Sequence, residues 1–222
     1  MRKRLLTYIK IWISKSHIKD MISSRVINKS KPLILLLLLL PSFIWIGMFI
    51  NGSLGVNPID ILMDELGEMT LRLLVLVLII SSLSQYSNLR SLQNLRRMIG
   101  LVAFYYVSLH LISYVFLDHF FNFSFILKDI LKRPFITFGF MGFILLLPLV
   151  FTSTNNMVKK LTFKVWKKIH YLIYLVILLG IFHFYLLTKA NKTEPLIYLG
   201  IVIVLFFLRI YNKFFSRRVA LR

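Results

Sequence analysis

Six apolar stretches alternate with short polar connections along this chain, each near the length that crosses the roughly 30 Å hydrocarbon core of a bilayer. They are Leu33–Ile50, Met69–Leu83, Met98–Leu117, Phe135–Phe151, Ile169–Leu187 and Pro195–Tyr211. In hydrocarbon a backbone must satisfy its own N–H and C=O groups, so such stretches are helices. The expected fold is all-α: a polytopic membrane helical bundle of six transmembrane helices. Composition agrees, with 58% hydrophobic residues against roughly 45–50% in soluble domains. Arg72 interrupts the second stretch near its start, so five spans is the competing count.

A formal net charge of +20 would suggest nucleic acid if the protein were soluble. Its placement speaks of topology instead. Nine Lys/Arg precede the first span, and Arg90, Arg96 and Arg97 lie between spans two and three. Lys159, Lys160, Lys164, Lys167 and Lys168 lie between spans four and five, and five more follow from Arg209. That puts 22 of 28 on one side of a six-span chain, and seven of eight acidic residues on the other. The positive-inside rule then places both termini in the cytoplasm. Residues 1–31 read as a basic cytoplasmic segment, either lying on the anionic leaflet or forming a disordered tail. A signal peptide would have a shorter basic start and a compact apolar core. Residues 32–211 form the transmembrane domain, and 212–222 a basic cytoplasmic tail.

The connections carry little chemistry. Asn51–Pro58 is a turn-rich exit from span one. Asp60 to Glu68 reads as an acidic helical stretch on the outer surface, and Asp118 to Arg133 as the longest outer connection. Its Phe120, Phe121, Phe123 and Phe125 suggest an interfacial helix. No glycine-rich nucleotide fingerprint occurs. The absence of cysteine excludes disulfides, thiolate metal sites and iron–sulfur clusters held by this chain.

Function is written in three of the five histidines. His110, His170 and His183 lie inside apolar stretches, where a polar ring is costly unless something ligates or hydrogen-bonds it. His110 falls 12 residues into span three and His183 14 residues into span five. Both therefore lie in the outer half, at matching depth. Facing histidines in a membrane bundle hold haem, and two axial nitrogens per iron make an electron carrier. A structural interhelical hydrogen bond is the competing role for each ring alone. His170 sits at the cytoplasmic start of span five. A second haem there would need a span-three partner near Arg97, which is no axial ligand, so His170 is a third candidate ligand with its role open. Arg72 is a candidate partner for a haem propionate, with snorkelling to the surface as the alternative. His17 and His119 have neither depth nor a partner and read as solvated.

Several blocks together resemble the MsrQ (YedZ) family. They are Arg96-Arg97-Met-Ile-Gly-Leu101, Leu109-His110-Leu-Ile-Ser-Tyr114, Lys132-Arg-Pro-Phe-Ile-Thr-Phe-Gly139, Thr152-Ser-Thr-Asn155 and Trp166-Lys-Lys-Ile-His-Tyr-Leu-Ile-Tyr174. Their order and spacing, through His183 and Glu194-Pro-Leu-Ile-Tyr198, extend the resemblance over roughly Pro41 to Tyr211. It implies a ferric-reductase-like, haem b-binding inner-membrane subunit of a methionine sulfoxide reductase system. Electrons would enter from a cytoplasmic flavin reductase or the quinone pool. They would leave to MsrP, a periplasmic molybdopterin subunit that repairs oxidised proteins. The resemblance also implies FMN, with no residues assigned to it. The matching histidines are His110, His170 and His183. A stand-alone transmembrane ferric or quinone reductase is the alternative enzyme reading, and a non-redox permease or scaffold the third.

Overall fold

In an apolar solvent a helix continues until its backbone is forced to stop, and here Pro, Gly and Asn do the stopping. The computed structural model describes residues 24–86 and 92–220. Among these, six helical segments are long and apolar enough to cross a membrane, and there is no strand. The first helix, α1 (Ser24–Ile50), ends in a turn where Gly52 takes φ +68° and the Asn51 N–H returns to the Gly47 carbonyl at 3.0 Å. α2 (Pro58–Tyr86) opens with proline at its first position, where a missing N–H has no cost. α3 (Gln93–Ser113) runs on into a π-helical turn (Tyr114–Asp118). α4 (Phe123–Lys132) is amphipathic and capped by Asn122, whose side chain accepts from the Phe125 N–H at 3.2 Å. α5 (Pro134–Phe151), the short α6 (Asn155–Lys160), α7 (Phe163–His170), α8 (Leu172–Leu187) and α9 (Thr193–Ala220) complete the chain.

The expected six spans are present, but their limits differ. Span two and its acidic prelude are one helix, α2, rather than Met69–Leu83 preceded by a separate surface stretch. Asp60, Asp64, Glu68 and Arg72 recur every four residues, with no proline to break the turn after Pro58. Charge marks where an apolar run begins, not where a helix begins. Arg72 consequently lies mid-helix instead of near the outer end. At the other boundaries, α1 starts at Ser24 and contains Pro32, and α9 passes Tyr211. Residues 1–23, which hold most of the expected leaflet-bound segment, lie outside the described residues, as does Arg90.

α2 is the axis of the bundle. Of its apolar window 61% is buried, against 6% for α1 at the periphery. Leu66, Leu73 and Leu74 of α2 pack with Tyr106 of α3 and Ile177 of α8. The tightest helix pairs are α2 with α3 and α5 with α8. Leu33, Leu36 and Phe43 of α1 are more than half exposed, as side chains that face lipid are. Small hydroxyls occupy the interior: Ser42, Thr70 and Ser81 are buried. Thr70 and Ser81 donate to the Leu66 and Val77 carbonyls one turn back, at 2.9 and 2.8 Å. The Tyr106 hydroxyl donates to the Leu38 carbonyl at 2.6 Å, tying α1 to α3.

With no native cysteine, single cysteines report topology without background. Ser53→Cys is expected to react with an impermeant maleimide in whole cells, and Lys159→Cys only after permeabilisation. The reverse pattern would invert the proposed orientation.

Candidate functional site

His110 on α3 and His183 on α8 meet across the bundle. Their ring centroids are 6.1 Å apart and their planes cross at 89°. Each imidazole is fixed by the carbonyl of a neighbouring helix. The His110 Nδ1–H donates to the Met63 carbonyl of α2 at 2.8 Å. The His183 Nδ1–H donates to the Phe135 carbonyl of α5 at 2.7 Å. Because a carbonyl only accepts, Nδ1 must carry the proton, and the lone pair of each neutral ring sits on Nε2. Neither Nε2 has a hydrogen-bond partner among the described residues.

Two rings whose only proton is committed to backbone present two nitrogen donors. No cluster of three or more His, Cys, Asp or Glu is placed to hold a metal among the described residues. A bare ion asks for more ligands than two imidazoles. They suit an iron whose other positions a macrocycle fills. With ring centroids 6.1 Å apart, the two imidazoles would be close enough to hold one iron between them.

His170 is built differently. It closes α7, and its ring stacks on Trp166 with centroids 3.9 Å apart. Its Nδ1–H donates to the Trp166 carbonyl at 3.1 Å, and its Nε2 lies 3.5 Å from the Ser153 hydroxyl. Both nitrogens have neighbours, and Tyr171 separates the helix that ends at His170 from the one that carries His183. Arg72 has its Nη2 2.6 Å from Glu68 Oε1, and the Tyr198 hydroxyl of α9 donates to the same oxygen at 3.1 Å. The guanidinium remains half-exposed. His17 lies outside the described residues.

The solvated reading of His119 is overturned. Its side chain is 7% exposed, covered by Tyr114 and Phe125. Nδ1 lies 3.1 Å from Asp118 and Nε2 3.4 Å from Asp129, although neither is aligned for a hydrogen bond. Asp129 is itself buried and receives Arg133 Nε at 3.0 Å. The π-helical turn, followed by positive φ at Phe120 and Phe121, folds the chain back so that His119 reaches α4. Sequence spacing carried no sign of that reversal. The carbonyls of Met63 and Phe135 were equally invisible, since every residue offers one.

Residues 66–181 match the family described as ferric reductase like transmembrane component. A protein of Caulobacter vibrioides is 46% identical over 169 residues, covering 76% of this chain and 79% of that one. A protein of Herminiimonas arsenicoxydans is 44% identical over 165 residues, 73% of this chain and 75% of that one. Both bear the name protein-methionine-sulfoxide reductase heme-binding subunit MsrQ. The chain belongs to the MsrQ proteins of the ferric-reductase-like transmembrane family. It is thereby a multi-pass membrane protein. The magnetosome protein MamZ of Magnetospirillum gryphiswaldense is 40% identical over 189 residues, which make up 82% of this chain but 29% of that longer protein. The family match takes in His110 and His170 and ends just short of His183.

Asp129→Ala removes the carboxylate that buried His119 and Arg133 share. The Tyr114 hydroxyl, which donates to Asp129 at 3.4 Å, loses its acceptor and Arg133 its ion pair. A lost hydrogen bond costs about 0.5–1.5 kcal/mol, which at this chain length lowers the melting midpoint by roughly 2–4 °C per kcal/mol. Asp118→Ala, on a side chain 42% exposed, is expected to change the midpoint in detergent by far less.

Proposed function

We propose that this chain is the haem b-binding, electron-transferring inner-membrane subunit of a methionine sulfoxide reductase system, with His110 and His183 as the two axial ligands. The carrying observation is the pair of imidazoles, 6.1 Å apart, whose Nδ1–H groups are both spent on backbone carbonyls. The names of the MsrQ relatives support the same reading. Haem bound there supplies a one-electron carrier at the level of the pair.

The residues of the chain do the rest. The Met63 and Phe135 carbonyls orient the rings and raise the basicity of Nε2. The surrounding apolar helices hold water away from the pair. Were His110 and His183 both to hold the haem iron, the iron would have no place left for a substrate, and the substrate chemistry would belong to a partner. Arg72, with N–H donors left over after Glu68, is the proposed contact for a haem carboxylate. His170 is assigned to a separate inner site, as a third candidate ligand. Both termini are taken to be cytoplasmic, with 1–31 and 212–222 as basic segments flanking the transmembrane domain at 32–211.

A cytoplasmic flavin reductase or the quinone pool is the proposed donor, with FMN as a relay that has no residues attached to it. The proposed acceptor is the periplasmic molybdopterin subunit MsrP. In the purified chain, a Soret band that sharpens and shifts on dithionite reduction is expected. His110→Ala and His183→Ala are each expected to lose it, while His170→Ala keeps the low-spin signal of the pair. A colourless wild-type chain, or full pigment after both substitutions, would overturn the reading.

A further inference from the structure

The two histidines share a seat of the same design. The Met63 carbonyl that binds His110 is followed four residues later by Gly67, and the Phe135 carbonyl that binds His183 is followed four residues later by Gly139. In a helix the residue four positions after a carbonyl donates its N–H to it, and its Cβ points back toward it. A side chain at that position therefore projects over the carbonyl, into the space of anything else bound there. A Cβ at Gly67 would lie 3.2 Å from His110 Nδ1 and 3.3 Å from Cε1. A Cβ at Gly139 would lie 2.8 Å from His183 Nδ1, with Cε1 at 3.1 and Cγ at 3.3 Å.

Both contacts are closer than carbon tolerates without movement, and in each the obstructed atoms are those of the imidazole. Other glycines within the spanning helices behave otherwise. Gly142, one turn beyond Gly139 and facing the same helix α8, would place its Cβ an ordinary 3.7 Å from Leu179. Gly100 and Gly200 would meet nothing within 4 Å. Close approach of α5 to α8 as such does not require Gly139; the ring does.

We infer that Gly67 and Gly139 are positioning residues for the two imidazoles. Their missing side chains let each ring reach the carbonyl that sets its proton and its angle. This rests on His110 and His183 acting as ligands. The collision at Gly139 is the harder one, so the effects are graded.

The test compares Gly139→Ala, Gly67→Ala and Gly142→Ala in the purified full chain. Haem content, redox potential and the low-spin EPR anisotropy, which reports the angle between the imidazole planes, are read for each. Gly139→Ala is expected to weaken haem retention by roughly 10–100-fold, the range for partners that orient a metal ligand. Gly67→Ala is expected to shift potential and EPR with a smaller loss, and Gly142→Ala to match the wild type. A thermal double-mutant cycle without haem covers the case in which Gly139→Ala is too unstable to load. Its destabilisation should largely vanish in a His183→Ala background, where the obstructed ring is gone. The inference is overturned if Gly139→Ala keeps wild-type haem content, potential and EPR, or if Gly142→Ala disturbs them as much. It is equally overturned if the destabilisation persists undiminished without the His183 ring. Loss of pigment in His183→Ala with none in Gly139→Ala would refute the glycine role and leave the axial assignment standing.

Discussion

A neutral imidazole among apolar helices has one proton to give and one lone pair to offer, and where the proton goes decides what the ring is for. In this protein His110 and His183 both give it to a main-chain carbonyl of the adjacent helix, at 2.8 and 2.7 Å. The remaining lone pairs belong to rings whose centroids lie 6.1 Å apart. Because the acceptors are backbone atoms within helices, they move only if the helices move. The centre inherits the rigidity of the bundle rather than that of a side-chain network, whose members would each need ordering of their own.

The bundle is arranged to make that rigidity available. The buried axis α2 supplies one seat and is packed by α1, α3, α8 and α9. α5 supplies the other seat and is paired chiefly with α8. The buried hydroxyls of Thr70 and Ser81 return to their own helix, so these groups do not compete with the histidines for partners. The Glu68, Arg72 and Tyr198 group answers its own charges within the bundle, which is what an ionised group at that depth requires.

The sequence made the bundle and the meeting of the two rings legible for a simple reason. Apolar length counts spans, and depth along a span follows from counting residues at a fixed rise. Both quantities are one-dimensional. What stayed hidden is three-dimensional. The start of α2 was misplaced because charge ends an apolar run without ending a helix. His119 read as solvated because nothing in Asp118-His119-Phe120-Phe121 announces a π-helical turn followed by two left-handed residues. The two glycines gave no signal in isolation, since helices of membrane proteins carry glycine for many reasons. Their spacing from the carbonyls means something only once the carbonyls have been identified.

The division of the centre between two helix pairs has a bearing on how the protein is made. A ribosome delivers α2 and α3 well before α5 and α8, so the nascent chain exposes a lone imidazole, fully seated, while half of its counterpart is still untranslated. In the proposed site, haem would be held from both sides only once α8 has left the translocon and docked on α5. On that assignment cofactor capture would be a late event in biogenesis, and an interrupted chain lacking its final third would insert in the membrane as an empty half-shell.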